Sequence, residues 1–207
     1  NTARLEKRNL ADELPVWSPD LCTQCGYCVA ICPHTAIRAK IVTAEHNSDT
    51  LKPLKSMPYR SRQHAGSQYT LQVSPDDCTG CQLCAQVCPA SARNTPENKA
   101  LMMVAKSDCY ELEQRQFQQF EKLPSESVHL QDRIDVKTLQ TVQPYFEYPN
   151  ACSGCGETAY IRILTQLYGD RLYIANATGC SSIFGGNLPT TPYSQDQDQR
   201  VPAWANS

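Results

Sequence analysis

Eight of the chain's twelve cysteines stand in two matching arrays. Cys22, Cys25, Cys28 and Cys32 are followed by Pro33, and Cys78, Cys81, Cys84 and Cys88 by Pro89, so each array reads C-x-x-C-x-x-C-x-x-x-C-P. Thiolates are soft ligands, and three of them in one short loop suit a polynuclear iron–sulfur centre whose metals occupy separate corners. Such a loop wraps only one side of a cube, so the remaining thiolate must come from afar. Disulfides would suit a small secreted scaffold, but the opening stretch NTARLEKRNLADELPVW lacks the apolar region and cleavage site of a secretory signal. Zinc ribbons use pairs of cysteines rather than two runs of four ending in proline.

The run is the ligand pattern of bacterial two-cluster ferredoxins, in which the fourth cysteine of each run crosses to the other cluster. On that pattern Cys22, Cys25, Cys28 and Cys88 hold one 4Fe-4S cluster, and Cys78, Cys81, Cys84 and Cys32 the other. An internal repeat supports the pairing. SPDLC at 18–22 returns as SPDDC at 74–78, and CPHTA at 32–36 as CPASA at 88–92, a displacement of 56 positions throughout (78 − 22). Each copy predicts a strand into the cysteine loop (LPVW, YTLQV), a short helix, and a returning strand (AIRAKIV, ALMMVA). Val29, Ile31, Ile37, Leu83 and Val87 are expected to pack around the cubes and exclude water.

Outside the arrays the chain changes character. The stretch between the halves is polar, broken by Pro53, Pro58 and Gly66, and predicts an inserted surface loop over 43–68. Its Lys52, Lys55, Arg60 and Arg62 could touch an acidic electron carrier, though a solvated loop is the favoured reading, and His46 and His64 read as solvated. Leu112, Phe117, Phe120 and Leu123 are spaced as a surface helix or tether, and Cys109 reads as an inert thiol. Past Pro144 and Pro149 a helix is expected from Glu157 to Tyr168, with Ile161, Leu164, Leu167 and Tyr168 on one face and Gly169 ending it. RLYIANA then predicts a strand buried in a parallel sheet, leaving Cys180, Ser181 and Ser182 just beyond its carboxyl end. Cys152, Cys155 and Cys180 are three candidate ligands for a third cube, and a fourth is missing.

Composition narrows the function further. The chain has 207 residues, a net charge of −2 and no basic block, so it has no electrostatic grip for nucleic acid or an anionic membrane. It contains no apolar run of about eighteen residues, the length needed to span a bilayer. A reducing, cytoplasmic setting is expected for oxygen-sensitive clusters.

Three stretches together resemble the pyruvate:ferredoxin (flavodoxin) oxidoreductases over essentially the whole chain. They are EKRNLADELPVWSPDLCTQCGYCVAICPHTAIRAK, YTLQVSPDDCTGCQLCAQVCPA, and the segment from ACSGCGETAYIRI through ATGCSSIFGGNLPTTPYS to PAWANS. The resemblance implies an enzyme using thiamine diphosphate, Mg and three 4Fe-4S clusters to convert pyruvate and coenzyme A into acetyl-CoA and CO2, with electrons leaving to ferredoxin or flavodoxin. It implies that Cys152, Cys155 and Cys180 ligate the cluster nearest the thiamine. It implies that Glu157 hydrogen-bonds the aminopyrimidine ring, that Cys180 lies against the cofactor, and that the parent enzyme is a homodimer. The Gly-Asp-Gly motif for diphosphate and Mg, the fourth ligand of the third cluster, and the pyruvate and coenzyme A regions have no counterpart here, so the chain reads as an interior slice. The expected organisation is α+β: a doubled ferredoxin-like βαβ unit over 1-125, a linker over 126-149, and over 150-207 the incomplete start of an α/β thiamine diphosphate-binding domain. This segment alone is not expected to turn over pyruvate. A stand-alone two-cluster electron-carrier subunit and a truncated structural component are the alternatives.

Overall fold

A computed structural model describes residues 2–43, 54–61, 64–125, 133–186, 189–196 and 198–206. In chain order the elements are β1 (Glu13–Trp17), α1 (Tyr27–Ile31), β2 (Ile37–Val42), β3 (Met57–Pro58), β4 (Gln68–Val73), α2 (Leu83–Val87), β5 (Ser91–Ala92), β6 (Thr95–Lys99), β7 (Leu101–Ala105) and α3 (Lys106–Glu121). They continue with α4 (Val136–Leu139), α5 (Thr158–Tyr168), β8 (Tyr173–Asn176), α6 (Cys180–Gly185) and β9 (Ala203–Asn206). The chain is mixed α+β, and no helix among the described residues is long and apolar enough to cross a membrane.

The two repeats exchange strands. β1, which enters the first cysteine loop, pairs antiparallel with β7, the returning strand of the second repeat, with Trp17 opposite Leu101. β4, which enters the second loop, pairs antiparallel with β2, the returning strand of the first, with Ile37 opposite Val73. Neither half therefore pairs its entering strand with its own returning strand, and the apolar, β-branched faces of all four strands close one shared core. That core contains Trp17, Val29, Ile37, Ile41, Tyr69, Leu71, Val73 and Leu101. Tyr69 stacks on Tyr59 and meets Trp17 edge-on, each with ring centroids 6.0 Å apart.

Several segments differ from their sequence-based reading. α3 is no free tether, because it buries Cys109, Phe117 and Phe120. The two rings stack at 5.9 Å and join Ala3, Val42, Leu54, Leu123 and Tyr148 in a second core. The stretch 43–68 is partly built in: Leu54 and Tyr59 are buried and β3 adds a third strand to β4. His64 rests against the Tyr59 ring, at 5.8 Å, rather than standing in solvent. Lys52, Arg62 and His46 lie outside the described residues.

The described part of 126–149 is also well packed. α4 opens with a capping box between Asp135 and Thr138, and Leu139, Val142, Tyr145, Phe146 and Tyr148 are buried. Thr35 donates to the Phe146 carbonyl at 3.0 Å, and Arg38 forms a buried ion pair with Glu147. α5 has the expected span and is followed by Gly169, but of its expected apolar face Ile161 and Leu167 are only half-buried. The buried face is Thr158, Arg162, Thr165 and Gln166, while Leu164 and Tyr168 are exposed. Gln166 Nε2 donates to the carbonyls of Leu139 and Val142 at 2.9 and 2.8 Å, so hydrogen bonding seats this side of the helix, while Ile161 packs half-buried against the core of Phe146 and Phe184. β8 pairs in parallel with β9, and Tyr173 at its start is exposed.

Candidate metal centres

The strand exchange carries the cysteines with it. One cavity is lined by Cys22, Cys25, Cys28 and Cys88, closed by Trp17, Tyr69, Leu71 and Leu101. Another is lined by Cys32, Cys78, Cys81 and Cys84, closed by Ile37, Leu83 and Met103. In both, three thiols come from one loop and the fourth from the other repeat, which are the two foursomes grouped above. Val29, Ile37 and Leu83 lie inward as expected. Ile31 and Val87, the last residues of α1 and α2, instead face outward with equal exposure, 37%. One-turn helices that start in the cysteine loop leave their final residue pointing away from it. The aromatic and aliphatic closers Trp17, Tyr69, Leu71, Leu101 and Met103 were not singled out from the sequence, although each sits on a strand flanking an array.

Backbone geometry shapes the loops. Gln24 and Gly26 in the first loop have φ of 58° and 77°, and their counterparts Gly80 and Gln82 have 67° and 62°. Each loop thus makes two left-handed steps, one taken by glycine and one by glutamine, in opposite order. The first of these steps turns an amide toward sulfur: Gln24 N–H donates to Cys22 Sγ at 3.3 Å and Gly80 N–H to Cys78 Sγ at 3.4 Å. Amides aimed at thiolate sulfur stabilise negative charge there. Gln24 also anchors the segment after β3, donating to the Pro58 carbonyl at 2.7 Å and accepting from Arg60 N–H at 2.9 Å.

The electrostatics fit a metal-dependent charge. Burial pushes the Cys78 thiol up to about 12, and raises Cys28, Cys32 and Cys84 as well, with neighbouring sulfurs adding to the rise for Cys28, Cys78 and Cys84. Without metal these are neutral thiols at neutral pH, so the tetrathiolate exists only when iron replaces the protons. Among the described residues no three His, Cys, Asp or Glu side chains are placed to hold a single ion. The thiols instead line the walls of two apolar cavities, as ligands to separate corners of a cube would. The donor set fits a 4Fe-4S cluster in each.

The third set is arranged differently. Cys152 and Cys180 are exposed and Cys155 is half-buried, with Cys180 opening α6. Glu157 precedes α5 as an exposed residue making no side-chain cap bond. Its charge, added to burial, lifts the Tyr193 hydroxyl up to about 12. Cys155, α5, α6 and Tyr193 meet in a small core built on Phe146, Ala151 and Phe184. The loop from Cys152 to Cys155 also touches the second cysteine loop. Ser153 Oγ lies 3.2 Å from Thr79 Oγ1, and a Cβ added at Gly154 would stand 3.9 Å from Cys81 Cβ and Leu83 Cδ1. Cys109, by contrast, is buried with Ala11 and Leu14 in a small core against which Cys78 packs, and its own thiol donates to the Ala105 carbonyl.

Residues 21–92 match the family model of the 4Fe-4S dicluster domain. Over 206 residues the chain is 55% identical to the probable pyruvate-flavodoxin oxidoreductase of Escherichia coli strain K12, covering 100% of this chain and 18% of that protein. It is 47% identical to the pyruvate-flavodoxin oxidoreductase of Nostoc sp. and 41% identical to the pyruvate:ferredoxin oxidoreductase of Moorella thermoacetica, covering 100% of this chain and 17% of each relative. The chain thus spans less than a fifth of the length of these relatives and is similar throughout to one segment of them.

Proposed function

We propose that this chain is the iron–sulfur electron-transfer portion of a pyruvate:flavodoxin or pyruvate:ferredoxin oxidoreductase. Cys22, Cys25, Cys28 and Cys88 hold one 4Fe-4S cluster and Cys32, Cys78, Cys81 and Cys84 a second; each supplies reversible one-electron storage. Cys152, Cys155 and Cys180 contribute to a third, completed by polypeptide outside this sequence, and Glu157 is the residue that meets the aminopyrimidine of thiamine diphosphate. Pyruvate, coenzyme A, Mg and a homodimeric, cytoplasmic parent belong to the same reading. Thiamine diphosphate supplies the electron sink for decarboxylation. This chain's own task is to keep single electrons dry and on course: Trp17, Tyr69, Leu71 and Leu101 shield one cavity, and Ile37, Leu83 and Met103 the other. The Ser153–Thr79 hydrogen bond, with Gly154 lying near Cys81, supports a third site beside the Cys32–Cys78–Cys81–Cys84 cavity. Electrons therefore enter on that side and leave on the Cys22–Cys25 side, toward ferredoxin or flavodoxin.

The observation that carries this reading is the pair of four-thiol cavities, each closed by the fourth cysteine of the opposite repeat. Anaerobic reconstitution tests it. The two cavities together should take up about eight irons per chain, four per cube. Cys32→Ser should remove the cluster of the loop at Cys78, Cys81 and Cys84, 46 positions away from the substitution (78 − 32), while the cluster beside Cys22 keeps its EPR signal. Loss of the cluster nearest in sequence instead would refute the crossed pairing.

A further inference from the structure

Arg162 is the bulkiest fully buried side chain among the described residues, at 1% exposure. It comes from α5, and its Nη2 donates to the Ala30 carbonyl at 3.1 Å and to Gln140 Oε1 at 2.9 Å, while Nε has no partner. No carboxylate lies within ion-pair distance of it among the described residues. The nearby cation Arg38 is held by Glu147, so that carboxylate is already engaged. A buried charge without an opposite charge is strongly disfavoured. Burial lowers the Arg162 guanidinium to about 10, which still leaves it charged at neutral pH. The compensating anion must therefore come from something that belongs in the fold.

Ala30 shows where that anion sits. It lies in α1 between Cys28, which lines one four-thiol cavity, and Cys32, which lines the other. A guanidinium bonded to that carbonyl stands behind both foursomes at once. Resting on the cluster reading above, we propose that Arg162 is the shared counter-charge of both 4Fe-4S clusters, and that it raises the reduction potential of each. A cation favours the more negative of two oxidation states, and one-electron reduction adds one unit of negative charge to a cluster. Because the cation rides on α5, directly after Cys152, Cys155 and Glu157, the segment bearing the third site would set the potentials of the other two.

The test is an EPR-monitored redox titration of the iron-loaded chain. Arg162→Gln should move both midpoint potentials negative by about 59 mV or more, a tenfold drop in the one-electron reduction constant. Arg162→Lys, which keeps the charge, should recover most of the shift. If Arg162→Gln fails to retain iron, Gln140→Glu decides the matter: it sets a carboxylate on the intact guanidinium and should produce the same negative shift. Unmoved potentials in an iron-replete Arg162→Gln or Gln140→Glu protein, or an Arg162→Lys shift as large as that of Arg162→Gln, overturn the proposal. A parent chain that shows no cluster signal overturns the underlying cluster reading instead.

Discussion

Gly26 and Gly66 adopt nearly the same left-handed backbone, with φ of 77° and 80°, yet their surroundings differ. A Cβ at Gly66 would meet nothing within 4 Å, whereas one at Gly26 would stand 2.9 Å from Gln140 Cγ and 3.3 Å from its Cβ. Alanine at either site costs about 1–2 kcal/mol for the left-handed conformation. At Gly26 overlap with a buried side chain adds about 1–3 kcal/mol. Gly26→Ala should therefore lower the thermal midpoint of the iron-loaded protein clearly more than Gly66→Ala. Equal effects would mean that backbone conformation alone requires glycine there. Gln82, the counterpart of Gly26, tolerates the same backbone, which fits a steric cause. Residues of this kind explain what the sequence hid. Cysteine spacing is local and encodes its ligand geometry directly, whereas the importance of Gly26 and Arg162 depends on Gln140, a neighbour supplied by a distant segment.

Among the elements, the four strands of the repeats were readable because alternation and β-branched content act within five or six residues. Their exchange between halves was readable only indirectly, through the crossing of the fourth cysteines. α5 shows the limit. Its apolar positions predicted the buried face, yet the helix is seated by Arg162, Thr165 and Gln166 through hydrogen bonds. Periodicity registers hydrophobicity and is blind to a polar face whose partners are carbonyls on other elements. The segment after α4 was misread for a related reason: its link to β2 is the buried Arg38–Glu147 pair, invisible in either stretch alone. Removing one partner from such a pair leaves an uncompensated buried charge. Glu147→Ala should thus destabilise the protein by about 3–5 kcal/mol, while Arg38→Met with Glu147→Leu should recover most of that. Denaturant unfolding of the single and double variants checks this; a Glu147→Ala cost below about 1 kcal/mol would show that water or another group replaces the carboxylate.

Across the whole molecule, the first residues act as a strap between the cluster-bearing core and the segment with Cys152, Cys155 and Glu157. Lys7 Nζ reaches Asp77 at 2.5 Å, next to the second cysteine array. On the other side Arg8 donates to Asn150 Oδ1 at 2.7 Å, to the Pro149 carbonyl at 3.2 Å and to the Ala151 carbonyl at 3.5 Å. Ala3 N–H bonds the Thr191 carbonyl, and Thr191 N–H bonds Thr2 Oγ1. The strap thus holds the Cys152–Cys155 loop beside Thr79 and Cys81, the seam that electrons would cross under the proposed function. Hydrogen bonds from a charged donor contribute about 1.5–3 kcal/mol, so their loss should make local opening roughly ten- to a hundredfold more frequent. Arg8→Ala should accordingly speed hydrogen exchange at the Tyr148 and Cys155 amides, which bond His34 and Cys152 carbonyls, by about that factor. Amides in the β2–β4 pairing should stay protected, because that ladder is closed by the repeats themselves. Unchanged exchange at Tyr148 and Cys155 would mean that the seam is held by the Thr35 and Arg38 contacts without the strap. Equal acceleration in β2 and β4 would mean that Arg8 supports the global fold, and that the seam has no separate opening of its own.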